Sequence, residues 1–194
     1  MKILDTKNLK IIDLTNPKFV KPIRINYTQN EKEKSWEAVK SHDSVSILLY
    51  HTQKKCFVLV KQFRPPVYIN DNIHKFTYEL CAGIVDKDIS LDQIAKEEIL
   101  EECGYNVKLK DIEKITSFYT NVGISGAKQH LYLANVDENM KVNEGGGIGD
   151  EEIELEYISL KDAKKFVFDE SKAKTPGLMF AFYWFFDINK KLCL

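Results

Sequence analysis

Residues 83–105, GIVDKDISLDQIAKEEILEECGY, describe a helix with marked ends and an acidic inner face. A helix advances about 100° per residue, so Glu98 and Glu102 lie almost one above the other, on a stripe shared with Leu91, Ile94 and Ala95. That stripe is the face a helix ordinarily buries. Glu101 sits one ridge away and Glu97 further round. Buried carboxylates are costly unless paired or bound to metal. A divalent cation held by Glu98, Glu102 and their neighbour Glu101 answers the problem; a solvated acidic face is the blander alternative. The ends are set by Ser90 and Gln93, spaced as a capping box, and by Gly104, the left-handed residue that ends a helix.

The stretch resembles the Nudix box, G-x5-E-x7-R-E-U-x-E-E-x-G-U with U bulky and apolar. Gly83, Glu98, Ile99, Glu101, Glu102, Gly104 and Tyr105 match in register. Ile89 stands where the pattern has its first glutamate, and Glu97 where it has arginine. In the family that arginine helps orient a metal-binding glutamate; Lys96, one residue earlier, offers a cation from a different face. The segments SHDSVSILLY, VLVKQFRPPVY, YELCAGIVD and GGGIG are similar to the UDP-sugar diphosphatase branch of the ADP-ribose pyrophosphatase group. The resemblance covers roughly residues 36–190 and implies an α/β fold, a Nudix-type α/β/α sandwich with a mixed sheet.

It also implies an activity: hydrolysis of the diphosphate of a nucleoside diphosphate sugar, UDP-glucose giving UMP and glucose 1-phosphate. The alternatives are an ADP-ribose pyrophosphatase giving AMP and ribose 5-phosphate, or a non-catalytic module that binds a nucleotide sugar. The implied cofactor is Mg²⁺, with Mn²⁺ as substitute; Mg²⁺ favours oxygen ligands and retains several waters. By resemblance the ligands are the Ala82 carbonyl, Glu98, Glu101, Glu102 and Glu151, with Glu101, Glu102 and Glu151 counted as catalytic. Glu151 follows the glycines of GGGIGDEEIE and is the first choice for activating water, with Asp150 or Glu152 the second. Glycine permits close backbone approach, and the loop at 141–150 reads as a flexible element, an interior linker candidate, that lets Glu151 close over the site. Where ADP-ribose enzymes usually carry a ribose-contacting glutamate, Ala127 stands here, which favours a UDP-hexose.

Arg64 ends an apolar run before Pro65 and Pro66, which stop the strand and present its planar fork to a phosphate. Lys40 is a further phosphate-contact candidate, and Tyr68 and Phe63 either stack on a base or pack. Lys18, Lys21, Arg24, Lys61 and Arg64 could form a local basic patch. A formal net charge of −1 gives no electrostatic reason to expect nucleic acid. His130 reads as a structural histidine in a strand.

The longest apolar run, Leu178 to Phe186, is shorter than the ~20 residues of a membrane helix, and the start lacks a signal-peptide pattern. Cys56, Cys81, Cys103 and Cys193 show no metal-ligand spacing and read as buried thiols in a cytoplasmic protein. Residues 41–194 read as the hydrolase domain, and residues 1–40 as strands at 9–14, 20–27 and near Trp36. Three such strands cannot bury a core alone, so a homodimer contact through this region is expected. SVSILLY and CFVLVKQF read as a hairpin, FTYELCAGIV as one strand, IEKITSFYT, HLYLANV and IELEYISL as further strands, and two helices finish the chain.

Overall fold

The computed structural model describes residues 6, 9–18 and 20–189, so the expectation for Cys193 lies outside the described residues. The chain divides into two compact units, residues 1–41 with 121–127, and 42–120 with 128–194.

In the smaller unit, β1 (Lys21–Gln29) and β2 (Lys32–Lys40) form an antiparallel hairpin. Asn30 and Glu31 both have positive φ, 53° and 61°. A two-residue loop of this kind matches the twist of the strands it joins. Residues 121–127 line the edge of β2: Val39 N–H donates to the Ile124 carbonyl at 2.8 Å and Trp36 Nε1 to the Gly123 carbonyl at 2.9 Å. Residues 9–14 form no strand, a correction to their apolar pattern; they are exposed. A β ladder needs a partner, and none pairs with them among the described residues.

The larger unit is an α/β/α sandwich around a mixed sheet. β3 (Ser44–His51) pairs parallel with β8 (Lys128–Val136) and antiparallel with β4 (Cys56–Gln62). The β3–β4 ladder spans only 49–51 against 56–58, after which the strands part. β3 continues against β6 (Cys81–Ile84), and β4 against β5 (Thr77–Glu79). The run expected as one strand is therefore two, serving different partners across this fork, with Leu80 buried at the crossing. β7 (Ile112–Tyr119), β9 (Glu154–Ser159) and β10 (Ala173–Lys174) complete the sheet.

Alternation along the strands builds two cores. Val45, Ile47 and Leu49 face α2 (Leu91–Cys103), where Ile94, Ala95, Ile99 and Cys103 meet them. Leu48, Tyr50, Phe57 and Leu59 face α3 (Leu160–Phe168) and α4 (Pro176–Ile188), packing on Phe166, Phe182 and Phe185. Full burial of a residue such as Ile94 or Ile99 is worth ~1.5–3 kcal/mol, so this face of α2 is anchored firmly enough to carry a buried carboxylate among its apolar residues. A further helix, α1 (Pro65–Asp71), was not expected: Pro65 and Pro66 start it rather than merely ending β4. Proline suits a helix's first turn, where its missing N–H is not needed.

Candidate active site

The fork between β3 and β4 opens into a cleft of about 460 Å³. Its walls bring together Ala82, Gly83, Glu98, Glu101, Glu102 and Glu151, with Arg64 and Glu79 at one side. The sequence-predicted metal set thus lines one cavity, from three separate elements.

α2 delivers its glutamates as spacing suggested. Ser90 Oγ accepts from Gln93 N–H at 3.2 Å, capping the start. The Gln93 side chain reaches Glu97 at 3.4 Å, so the reciprocal half of the capping box is replaced by a contact along the helix. Gly104 ends it at φ 71°. The last four carbonyls of a helix have no partner inside it, and here each is met. Gly104 N–H donates to Leu100, Gly147 N–H to Glu101, Gly146 N–H to Glu102, and Lys141 Nζ to Cys103, at 2.9–3.1 Å.

Three of these donors come from the 141–147 stretch, so this part of the expected linker is bonded to the end of α2. Gly145, Gly146 and Gly147 adopt φ of 70°, 110° and 87°, and a Cβ at Gly145 would overlap the Glu102 carbonyl. The glycines let the loop lie flat on the end of α2. Glu151 then folds back, its Oε2 accepting from Ile148 N–H at 3.0 Å. Asp150 and Glu152 are also exposed but do not line the cleft.

Glu102 is 5% exposed, and its Oε2 accepts from Ala82 N–H at 2.9 Å. Val85 N–H donates to the Asp43 carbonyl, and antiparallel alternation then puts Ala82 opposite Ser46 in a pair not bonded to each other. Both backbone groups of Ala82 therefore face the Glu102 side, where the carbonyl can reach a cation. Gly83 makes room: a Cβ there would overlap the Glu98 carboxylate. Burial, then the charges of Glu101 and Glu151, push Glu98 up to about 7. Burial pushes Glu102 up to about 8 against the Ala82 hydrogen bond, with Glu98 and Glu151 adding to the rise. These are carboxylates whose charge needs a counter-ion. Among the described residues no group of three or more acids, histidines or cysteines is drawn together closely enough to hold a metal ion by itself. The donor set is all oxygen, open and spread around a cavity, which suits hydrated hard cations shared with phosphate oxygens.

Arg64 lines the cleft, but its Nε and Nη2 bind Glu79 at 2.8 and 2.9 Å, leaving one amino group outside this fork. Burial raises Glu79, and the Arg64 and Thr77 contacts more than reverse that, so its net shift is downward. Tyr68 is half-buried on α1 against Phe63, ring centroids 5.7 Å apart, and does not line the cleft. Lys40 belongs to the smaller unit, exposed at the end of β2. Three members of the suggested basic patch are paired with acids: Arg24 with Glu37 at 2.8 Å, Lys61 with Glu154 at 3.3 Å and Arg64 with Glu79 at 2.8 Å. His130 is structural in its contacts, with Nδ1 at 2.8 Å from Ser117 Oγ. Glu97, at the position of the pattern's arginine, accepts from Lys87 Nζ at 2.6 Å, and Lys96 does not line the cleft. Sequence reasoning missed Glu79, Lys87 and Gln129 as wall residues; strand pairing brings Glu79 and Gln129 to the cavity, and the segment after β6 brings Lys87.

A glutamate-rich helix on a forked mixed sheet, with a glycine loop presenting another acid, defines a Nudix hydrolase. The NUDIX domain family matches residues 40–176, and the chain belongs to that family. Nudix hydrolases generally use divalent metal ions. The uridine diphosphate glucose pyrophosphatases NUDT14 of Bos taurus and Mus musculus are 35% and 33% identical, aligned over 87% of this chain and 88% of theirs. A GDP-mannose pyrophosphatase of Pectobacterium atrosepticum is 36% identical over 62% of this chain and 61% of its own.

Proposed function

We propose that this protein is a Mg²⁺-dependent nucleotide-sugar diphosphatase that cleaves UDP-glucose to UMP and glucose 1-phosphate. The similarity to the two NUDT14 proteins, running through 87% of the chain, carries this reading. The acid-lined cleft supports it. Mn²⁺ would substitute, since the donors are all oxygen.

Ala82, Glu98, Glu101, Glu102 and Glu151 would hold the metal. When bound there, the metal would supply positive charge to neutralise the diphosphate and to acidify a water. Glu102 is oriented by Ala82 N–H, and Glu98 is seated in the space left by Gly83. Glu151, fixed through one oxygen by Ile148 N–H, keeps its other oxygen to take the proton of the attacking water. The water oxygen bonds to phosphorus, the bridging P–O bond breaks, and the leaving phosphate keeps that electron pair. Arg64, steadied by Glu79, would meet the phosphate oxygens from the side. No described helix is long and apolar enough to cross a membrane; the three cysteines among the described residues, Cys56, Cys81 and Cys103, are free and buried, which suits a reducing cytoplasm. The β1–β2 hairpin, with Ile25, Tyr27 and Trp36 exposed, would gain its missing core in a homodimer.

The test is a hydrolysis panel of UDP-glucose, UDP-galactose, GDP-mannose, ADP-ribose and NADH with Mg²⁺ or Mn²⁺, products weighed by mass spectrometry. The highest kcat/KM is expected for a UDP-hexose, giving UMP and the sugar 1-phosphate. A higher value for ADP-ribose than for every UDP-sugar would overturn the substrate assignment. No turnover with either metal would leave a binding module.

A further inference from the structure

We propose that Lys87 is a diphosphate-binding residue, an ammonium parked on Glu97 that swings to the phosphate oxygens when substrate enters the cleft. The inference rests on the hydrolase reading above and assigns a cation that this reading does not use.

Of the ionisable residues lining the cleft, six are acids and two, Arg64 and Lys87, are cations. The two are held very differently. Arg64 is clamped by two hydrogen bonds to Glu79, whose side chain is 12% exposed. Lys87 makes a single 2.6 Å contact with Glu97, and both side chains are well exposed, 46% and 32%. An exposed single ion pair adds little stability, so its lysine is easily drawn to a stronger anion. Lys87 also sits in the irregular segment 85–90 between β6 and α2, on a flexible four-carbon stem. A diphosphate offers several anionic oxygens in the same cavity, and a charge-assisted bond to one of them outcompetes the contact with Glu97.

A merely structural strut tying segment 85–90 to α2 makes a different prediction, because losing either end of a strut has the same effect. Lys87→Met, Lys87→Arg and Glu97→Gln are compared by steady-state kinetics on UDP-glucose and by calorimetric titration of inorganic pyrophosphate with Mg²⁺ present. Lys87→Met should raise KM and the pyrophosphate Kd about tenfold, with kcat within about threefold. Lys87→Arg should recover most of the loss. Glu97→Gln, which releases the lysine, should leave both constants at or below the parent's. Equal losses in Lys87→Met and Glu97→Gln, or an unchanged pyrophosphate Kd in Lys87→Met, would overturn the proposal. A parent that cleaves no nucleotide sugar would refute the hydrolase reading, while the pyrophosphate titration still decides the role of Lys87.

Discussion

Removing metal should make this protein's stability depend on pH in a direction opposite to that of an ordinary acidic surface, and Glu102 is the reason. Its carboxyl is raised from 4.5 to about 8, chiefly by burial. A carboxyl raised in the folded state binds its proton more tightly there than in the unfolded chain. Its stabilisation is complete below the unfolded value and disappears as pH climbs through the folded one. Across ~3.5 pH units at about 1.36 kcal/mol each, the loss is on the order of 5 kcal/mol, an upper bound for one group. Glu98 acts in the same sense with a smaller share, being partly exposed. In a chain of this length each kcal/mol moves Tm by ~2–4 °C, so metal-free protein should melt up to ~10 °C lower at pH 8.5 than at pH 5. Glu102→Gln separates this from every other titrating group. Glutamine keeps an acceptor for Ala82 N–H but carries no charge to bury. In chelator at pH 8.5 the variant should melt higher than the parent, by several degrees, and at pH 5 the two should nearly coincide. Adding Mg²⁺ should raise the parent strongly and the variant little, while the variant loses nearly all turnover. Calorimetry across pH, with and without chelator, decides it. A variant less stable than the parent at pH 8.5 without metal would refute the claim that Glu102 is a buried charge awaiting a cation.

Further outcomes follow from the same geometry. Gly83→Ala should cut turnover about 100-fold or more with circular dichroism unchanged, since its Cβ displaces only the Glu98 carboxylate; near-parental activity would show that Glu98 need not sit there. Glu151→Gln should lower kcat by ~10²–10⁴ with KM within a few-fold, whereas Asp150→Asn and Glu152→Gln should do little; the reverse pattern would move the role along the loop. Gly145→Ala should cost ~1–3 kcal/mol in denaturant unfolding and activity as well, because the residue sits at φ 70° against the Glu102 carbonyl; an effect on activity alone would mean that the loop is not pinned. Light scattering at micromolar concentration should give a dimer mass, and deletion of residues 1–40 a monomer with reduced activity; a monomeric parent ends the assembly proposal.

What the sequence disclosed and what it withheld divide by range. Glu98 and Glu102 could be placed on one buried stripe because helical neighbours are fixed by local spacing, as were Ser90 and Gly104 at the ends. The mixed sheet with helices on both faces followed from the order of apolar strand-like runs and helical segments. The fork did not, because nothing in FTYELCAGIV says that Thr77–Glu79 and Cys81–Ile84 choose different partners. The Arg64–Glu79 pair is a consequence of that choice, across 15 residues. Residues 9–14 show the opposite error, an apolar pattern taken for a strand where no described strand receives it.

The glycine loop carries the sharpest lesson, since glycine has two physical uses and composition does not distinguish them. Freedom at φ > 0 can mean mobility, or it can mean a fixed left-handed path no other residue follows cheaply. Here the second holds: Gly146 and Gly147 donate to the carbonyls of Glu102 and Glu101, the residues whose side chains line the cleft. The backbone that carries Glu151 is thus bonded to the backbone that carries the helix acids. Forming these bonds during folding meets part of the ordering entropy that a loose loop would meet at each binding event.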